Sequence, residues 1–314
     1  MKIFFLSREN IRLSKAELES FLGEPVQLEK NLGFAETKKE NFDRLAMSKT
    51  AGILLFACKA NDIIRYSKDF PWENFCNKDF CVETKRLDET QVEKKKIAGI
   101  VHERTGKPAK MNEPEALIEI FLYNEMAYVT KRIWVNTDDF NSRKAHNRPA
   151  SHPTSTHPKL SKAMVNLTGV HKGTIVDPFC GSGGILLEAG LMRLCTVGYD
   201  ISEKMLEMCR INLEQWKVKD YELKVRDALT LDDLSYIVTD PPYGRNTTPS
   251  NLEKLYQKFL HRLKIKLRKR AVVVFPDFFD YKRAAKNAGL KIIDEFDWYV
   301  HKSMTRNVVI LEAN

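Results

Sequence analysis

The 314-residue chain has no long apolar runs: Gly52-Ile53-Leu54-Leu55-Phe56-Ala57-Cys58 is among the longest and falls far below a membrane span. Met1–Leu6 is apolar apart from Lys2, but Ser7, Arg8 and Glu9 interrupt it too soon for a secretory h-region. A secreted or membrane-spanning protein is thereby excluded, and a cytosolic one is expected. Cysteine is scarce as well. The six (Cys58, Cys76, Cys81, Cys180, Cys195, Cys209) form no C-x-x-C pair, and no histidine stands at zinc-finger spacing. They are expected to be reduced and mostly buried. His152 and His157 lie in a proline-rich stretch with no acidic or thiol partner nearby, so no metal site is expected.

What is present is an ordinary globular mix, 43% apolar and 30% charged, in a chain long enough for two or more domains. Lys and Arg number 51 against 42 Asp and Glu, a net charge of +9 that favours a polyanionic partner. Two stretches carry no acid at all. Arg143 to Lys162 holds Pro149, Pro153 and Pro158 with five basic residues, and reads as an extended connector across a surface. Lys254 to Arg270 holds eight basic residues.

Periodicity divides the rest. Residues 1–60 read as βαββαβ, the ferredoxin-like order. The strands are Lys2–Ser7, Pro25–Glu29, Gly33–Thr37 and Gly52–Ala60. One helix is capped by Ser14 with Glu17 three residues on, and a second spans Asn41–Thr50. Residues 61–137 form a further small α+β unit: strand Phe80–Leu87, helix Glu93–Arg104, and strands Ala116–Tyr123 and Ala127–Val135 about the turn Asn124-Glu125. After a linker over 138–158, a short helix at Leu160–Leu167 opens strand–helix alternation to the C-terminus. Strand cores fall at Ile175-Val176, Cys195–Tyr199, Glu222–Val225, Tyr236–Thr239, Ala271–Phe275 and Val308–Leu311. That alternation predicts a mostly parallel, doubly wound α/β sheet over 159–314.

In such a sheet ligands sit at the carboxyl ends of the strands, and acids recur there. The first strand runs into Asp177-Pro-Phe179-Cys180-Gly181-Ser182-Gly183-Gly184, a glycine-rich turn into a helix. Alone it is as readily a tight βα turn as a nucleoside site, and the third glycine of the dinucleotide fingerprint is missing, which disfavours a nicotinamide-dependent dehydrogenase. The second strand ends Asp200-Ile201, 19 residues after Gly181, where a carboxylate accepts from ribose hydroxyls. The third leads to Asp227-Ala228, suited to an adenine amine. The fourth ends Asp240-Pro241-Pro242-Tyr243-Gly244-Arg245. Each acid alone is an ordinary loop residue, but the succession is hard to place by chance.

Asp240-Pro241-Pro242-Tyr243 together with the upstream glycine loop resembles S-adenosylmethionine-dependent methyltransferases acting on exocyclic amines of bases. More narrowly, His152-Pro-Thr-Ser-Thr-His-Pro-Lys-Leu-Ser-Lys-Ala-Met-Val-Asn166-Leu167 and His301-Lys-Ser-Met-Thr305-Arg306 resemble the archaeal tRNA guanine-10 N2-methyltransferases. The resemblance spans the whole chain and is most specific in its second half. Ser182 stands where Thr is common, and Asn246 where Ser is usual. It implies a ferredoxin-like domain (1–60), a THUMP domain (61–137), a linker and a Rossmann-like methyltransferase domain (159–314). It also implies transfer of one or two methyl groups to guanine N2. Asp177, Phe179, Cys180, Gly181, Gly183, Asp200, Ile201, Asp227, Ala228 and Asp240 would hold the cofactor. Asp240 and the Pro241 carbonyl would accept the two amine hydrogens, proline would stiffen the turn, and Tyr243 would stack on a base flipped out of its stem. Lys85, Arg86, Lys94, Lys95, Lys96, Arg143, Lys144, Arg148, Lys254, Lys258, Arg262 and Arg306 are candidate RNA contacts, each singly as well explained by solvated charge. Some relatives use a small zinc-binding activator subunit, a partner the resemblance adds to tRNA. An rRNA guanine-N2 or DNA adenine-N6 methyltransferase fits the same tetrapeptide, and an RNA-binding protein without activity would keep the fold. Four intact acids disfavour the last.

Overall fold

The computed structural model describes residues 1–152, 155–232, 234–243, 249–301 and 304–313, with Pro249, Ser250, Val300, His301 and Met304 described by backbone alone. Pro153, Thr154, Gly244, Arg245, Asn246, Lys302 and Ser303 of the motifs above lie outside the described residues. The chain divides into two units. One comprises 1–8, 24–42 and 48–136, and the other 9–23, 43–47 and 137–314.

The first unit is built on β1 (Lys2–Leu6), β2 (Gln27–Glu29), β3 (Leu32–Ala35), β4 (Ser48–Lys59), β5 (Phe80–Arg86), β6 (Ala116–Tyr123) and β7 (Met126–Val135). They form one seven-stranded sheet in the order β2-β3-β1-β4-β7-β6-β5. The expected boundary at residue 60 thus falls inside a continuous sheet, because the long β4 pairs with β1 on one side and β7 on the other. The β6–β7 turn is as expected. Asn124 and Glu125 take φ of 50° and 61°, the left-handed pair that a two-residue hairpin needs. Fully buried Trp72 anchors the core beside Phe80, Ile97 and Val101, its indole N–H donating to the Ser67 carbonyl at 2.7 Å.

The second unit takes α1 (Ile11–Leu22) from the N-terminal stretch. Its cap is Asn10, whose side chain accepts from the Leu13 N–H at 3.0 Å. Ser14, the expected cap, lies inside the helix and donates to the Asn10 carbonyl. Glu17 is not a capping-box partner either. It is buried, accepting the N–H groups of Ala46 (2.8 Å) and Met47 (2.7 Å) and the Asn166 amide. Those bonds explain why residues 41–47 are not the expected second helix. A buried carboxylate collects their amides, and β4 begins at Ser48.

After α2 (Ile63–Asp69) and α3 (Lys94–Thr105) of the first unit, the second continues with α4 (Pro158–Leu167), β8 (Thr174–Asp177), α5 (Gly184–Leu191), β9 (Cys195–Asp200), α6 (Glu203–Gln215), β10 (Tyr221–Val225), β11 (Leu234–Thr239), α7 (Pro249–Lys266), β12 (Leu267–Pro276), α8 (Tyr281–Ala288), β13 (Leu290–His301) and β14 (Met304–Ala313). Its sheet order is β10-β9-β8-β11-β12-β14-β13. Strands β10 to β12 run parallel, and the β13–β14 hairpin adds antiparallel to β12. The chain reverses direction across the sheet between β8 and β11, which opens a crevice at their carboxyl ends. Strand β13 has no counterpart among the strand cores expected from sequence, since its charged residues Asp294, Glu295 and Asp297 mask a strand whose buried residues, among those described, are Leu290 and Phe296.

Candidate active site

Strand β8 delivers Asp177 to the crevice. It is 2% exposed and accepts the Phe179 N–H at 3.1 Å and the Thr239 hydroxyl at 2.6 Å. Burial pushes its carboxyl up to about 7, against the pull of those two donors and with a push from the charges of Asp240 and Asp200. The glycine turn follows. Gly183 caps α5 at φ 83°, and a Cβ there would stand 2.5 Å from the Cys209 sulfur, so glycine is required twice over. Asp200 ties the loop down from the next strand, accepting the Gly181 N–H at 3.0 Å and the Ser202 N–H at 2.8 Å.

Asp177 and the turn border a crevice whose wall includes Asp177, Phe179, Cys180, Gly181, Ser182 and Asp240. The loop backbone and the carboxylates suit a nucleoside-bearing cofactor. Asp200 meets this crevice through Gly181. Ile201, 78% exposed, and Asp227, which caps a short turn by accepting the Leu229 N–H, are exposed and lie outside its wall, and Ala228 is buried.

Asp240 is the centre of the arrangement. Its carboxylate accepts from the Thr156 hydroxyl, the Tyr243 hydroxyl and, at 2.8 Å, an Arg306 Nη. Burial raises its carboxyl above the ordinary range, while Arg306 and the two hydroxyls draw it back. Burial also raises the Tyr243 phenol, which therefore stays protonated and donates. Tyr256 fixes the turn from below, its hydroxyl donating to the Pro242 carbonyl at 2.6 Å, and Pro241 is buried. Thr156, in the proline-rich connector, and Thr239, inside β11, join the site without a signal in the sequence.

Several basic residues expected on RNA are instead internal. Arg306 is 9% exposed, paired with Asp240, and its guanidinium covers Tyr243 at 4.9 Å from the ring centre. Arg143 is 6% exposed and forks onto Glu188 at 2.7 and 3.0 Å and onto Asp138. Buried Arg148 donates to the Arg143 carbonyl at 2.7 Å. Arg143, Arg148 and Lys162 of this stretch therefore turn inward, Arg143 onto Glu188 and Asp138 and Lys162 onto Asp138. Arg262 is half-buried on the Leu231 carbonyl, and Lys85 pairs with the buried Glu119. Exposed side chains remain at Arg86, Lys94, Lys95, Lys96, Lys254 and Lys258, and Lys144 is half-exposed. Five of the six cysteines are buried and Cys195 is exposed. Among the described residues there is no group of metal ligands, and no helix is long and apolar enough to cross a membrane.

A family model described as an RMKL-like methyltransferase domain matches residues 145–306. A second, described as a DNA methylase, matches 18–210 and stops short of Asp240. The chain is 35% identical to the tRNA (guanine(10)-N2)-dimethyltransferase of Pyrococcus abyssi over 87% of this chain and 86% of that one. It is 33% identical to the enzyme of the same name from Methanothermobacter thermautotrophicus, over 98% of each. Among solved structures, TrmN from Thermus thermophilus superposes with TM-score 0.56 at 18% identity, over 100% of this chain and 99% of that one. A putative methyltransferase solved with SAH, SMU.472, gives 0.55 at 16%, over 100% and 98%. With an Asp-Pro-Pro-Tyr turn gripped by Thr156 and Arg306 beside a glycine-looped cavity, and with such identity along nearly its whole length, the chain belongs to the tRNA (guanine(10)-N2)-dimethyltransferase family.

Proposed function

We propose that this protein transfers methyl groups from S-adenosylmethionine to the exocyclic N2 of a guanine in tRNA, at position 10 as in its named relatives. The observation that carries the reading is the placement of Asp240. Its carboxylate lies on the wall of the cofactor cavity, at the end of β11 and within reach of an arriving base. S-adenosylmethionine supplies an electrophilic methyl on a sulfonium. Asp200 and the Gly181 loop bind the nucleoside part, and Asp227 receives the adenine amine at the outer edge.

Guanine N2 is a poor nucleophile because its lone pair is delocalised into the ring. Asp240 accepts one amine N–H and the Pro241 carbonyl the other, aiming the lone pair at the methyl. Transfer leaves the nitrogen acidic, and its proton passes to Asp240. The buried, upshifted carboxyl is well matched to hold it. The first unit, with residues 61–137 as a THUMP domain, grips tRNA through Arg86 and the lysines of α3, and Lys254 and Lys258 add contacts along α7. The purified chain alone, given tritiated S-adenosylmethionine and a tRNA transcript, should label guanine 10 and lose the label when that base is inosine, which lacks N2. Label on another nucleotide, or on rRNA or DNA in preference, would overturn the reading. A requirement for added extract would instead point to a small zinc-binding activator subunit.

A further inference from the structure

Three donors close on the Asp240 carboxylate, and they differ in kind. Thr156 and Tyr243 offer neutral hydroxyls, whereas Arg306 brings a full charge. The ion pair is not local. Arg306 stands on β14 opposite Pro276 of β12, and β12 lies between β14 and β11, so the guanidinium passes the end of one strand to reach the end of the next. It rests on the way against the Tyr243 ring, 4.9 Å from its centre. The two side chains of the pair are 11% and 8% exposed, so water screens the charges little. A cation meant for phosphate would face solvent; this one faces a carboxylate.

An ionised carboxylate offers about four lone-pair sites. Oδ2 accepts from Thr156 and Arg306 and Oδ1 from Tyr243, which leaves one site, on Oδ1, for an arriving amine N–H. Protonated, the same carboxyl would turn a donor towards the amine. Charge decides which form is present. Burial favours the protonated one, and Asp177 on β8, an acid on the same crevice wall, does nothing to oppose it. Tyr243 on the turn and Tyr256 on α7 keep their own protons, and His152 of the connector also lines the crevice. Among the described residues, Arg306 is the one charge that draws the Asp240 carboxyl down.

We propose that Arg306 is a positioning residue for the transfer step, keeping the Asp240 carboxylate ionised inside the protein and turned so that Oδ1 alone is open to the amine. The inference rests on the guanine-N2 reading and adds to it a residue that acts through Asp240. Infrared titration of the full-length protein tests it without tRNA. On an Asp177→Asn background, which silences the neighbouring carboxyl, the band lost in Asp240→Asn belongs to Asp240. Its midpoint should rise by about one to three pH units in Arg306→Gln. Arg306→Lys keeps the charge and should move it little. In single-turnover methylation of a tRNA transcript, the acidic limb of the rate profile should move up in Arg306→Gln, the lost rate returning as pH rises. The affinity for tRNA and its salt dependence should not change. Arg306→Met, of similar volume, takes the place of Arg306→Gln should that variant not fold. A midpoint that stays in place in the neutral variants overturns the proposal, as does equal movement in Arg306→Lys. A salt slope lower by about one with an unmoved rate profile also overturns it, since that marks a phosphate contact. If the midpoint moves as expected but the wild-type protein labels no guanine, it is the functional reading that fails.

Discussion

Asp177 carries a penalty that grows with pH, and removing its charge measures it. The carboxyl is raised from 3.8 to about 7 by burial between β8 and β11, a gap worth about 4 kcal/mol. The folded state therefore binds a proton that the unfolded state has already lost once pH passes 3.8. Stability is whole below that value and falls as pH rises towards 7, by about 1.4 kcal/mol per pH unit, then levels off. Asp177→Asn keeps an oxygen for the Phe179 N–H and the Thr239 hydroxyl but has no charge to desolvate. Urea unfolding of both proteins at pH 5.5 and pH 8 isolates the contribution as a difference. The variant's advantage should be larger at pH 8 by about 2 kcal/mol. An advantage that does not change with pH would refute the argument. Because an ionised Asp177 favours a neighbouring cation, S-adenosylmethionine should also release a proton on binding at pH 6.5 to the wild-type protein but not to the variant, as read by calorimetry in two buffers.

Asp240→Asn should cut methyl transfer by about 100-fold or more while leaving tRNA binding nearly intact, as single-turnover and binding measurements would show. Asp200→Ala removes the anchor of the Gly181 and Ser202 amides as well as the proposed cofactor acceptor, and should weaken S-adenosylmethionine binding by about 1.5–3 kcal/mol. Arg143→Ala strands the buried Glu188 and should cost about 3–5 kcal/mol in denaturant unfolding, with no change in the salt dependence of tRNA binding. A reduced salt slope at full stability would return Arg143 to the RNA surface. Arg86→Ala with Lys95→Ala should do the reverse, lowering the slope by about 2 without altering stability.

The fold class of the second unit was legible because parallel strands bury both faces. Continuous apolar runs such as Ile175-Val176 and Ala271–Phe275 therefore stand out, and the acids that end them fall where such sheets bind ligands. Asp177 and Asp240 could be placed at strand ends, and Gly181 and Gly183 in the turn, from the chain alone, since each answers to a local backbone requirement or a strand end. The hairpin at Asn124-Glu125 was readable for the same reason. Local pattern failed wherever a distant partner decided. The helical spacing of Phe42, Leu45 and Ala46 yielded to the carboxylate of Glu17, and the Ser14 cap yielded to Asn10. Charge was the least informative property. Arg143, Arg306 and Lys85 read as solvent-facing cations, yet each is buried or half-buried beside an acceptor far away in sequence: Glu188 is 45 residues from Arg143, Asp240 is 66 from Arg306 and Glu119 is 34 from Lys85. A basic side chain is stable at the surface or in the interior depending on whether an acceptor waits there, and only the tertiary structure supplies that acceptor. The sequence by itself thus determined the sheet, the glycine turn and the carboxylate that follows β11, while the closing of Thr156, Tyr243 and Arg306 around that carboxylate was decided by the fold.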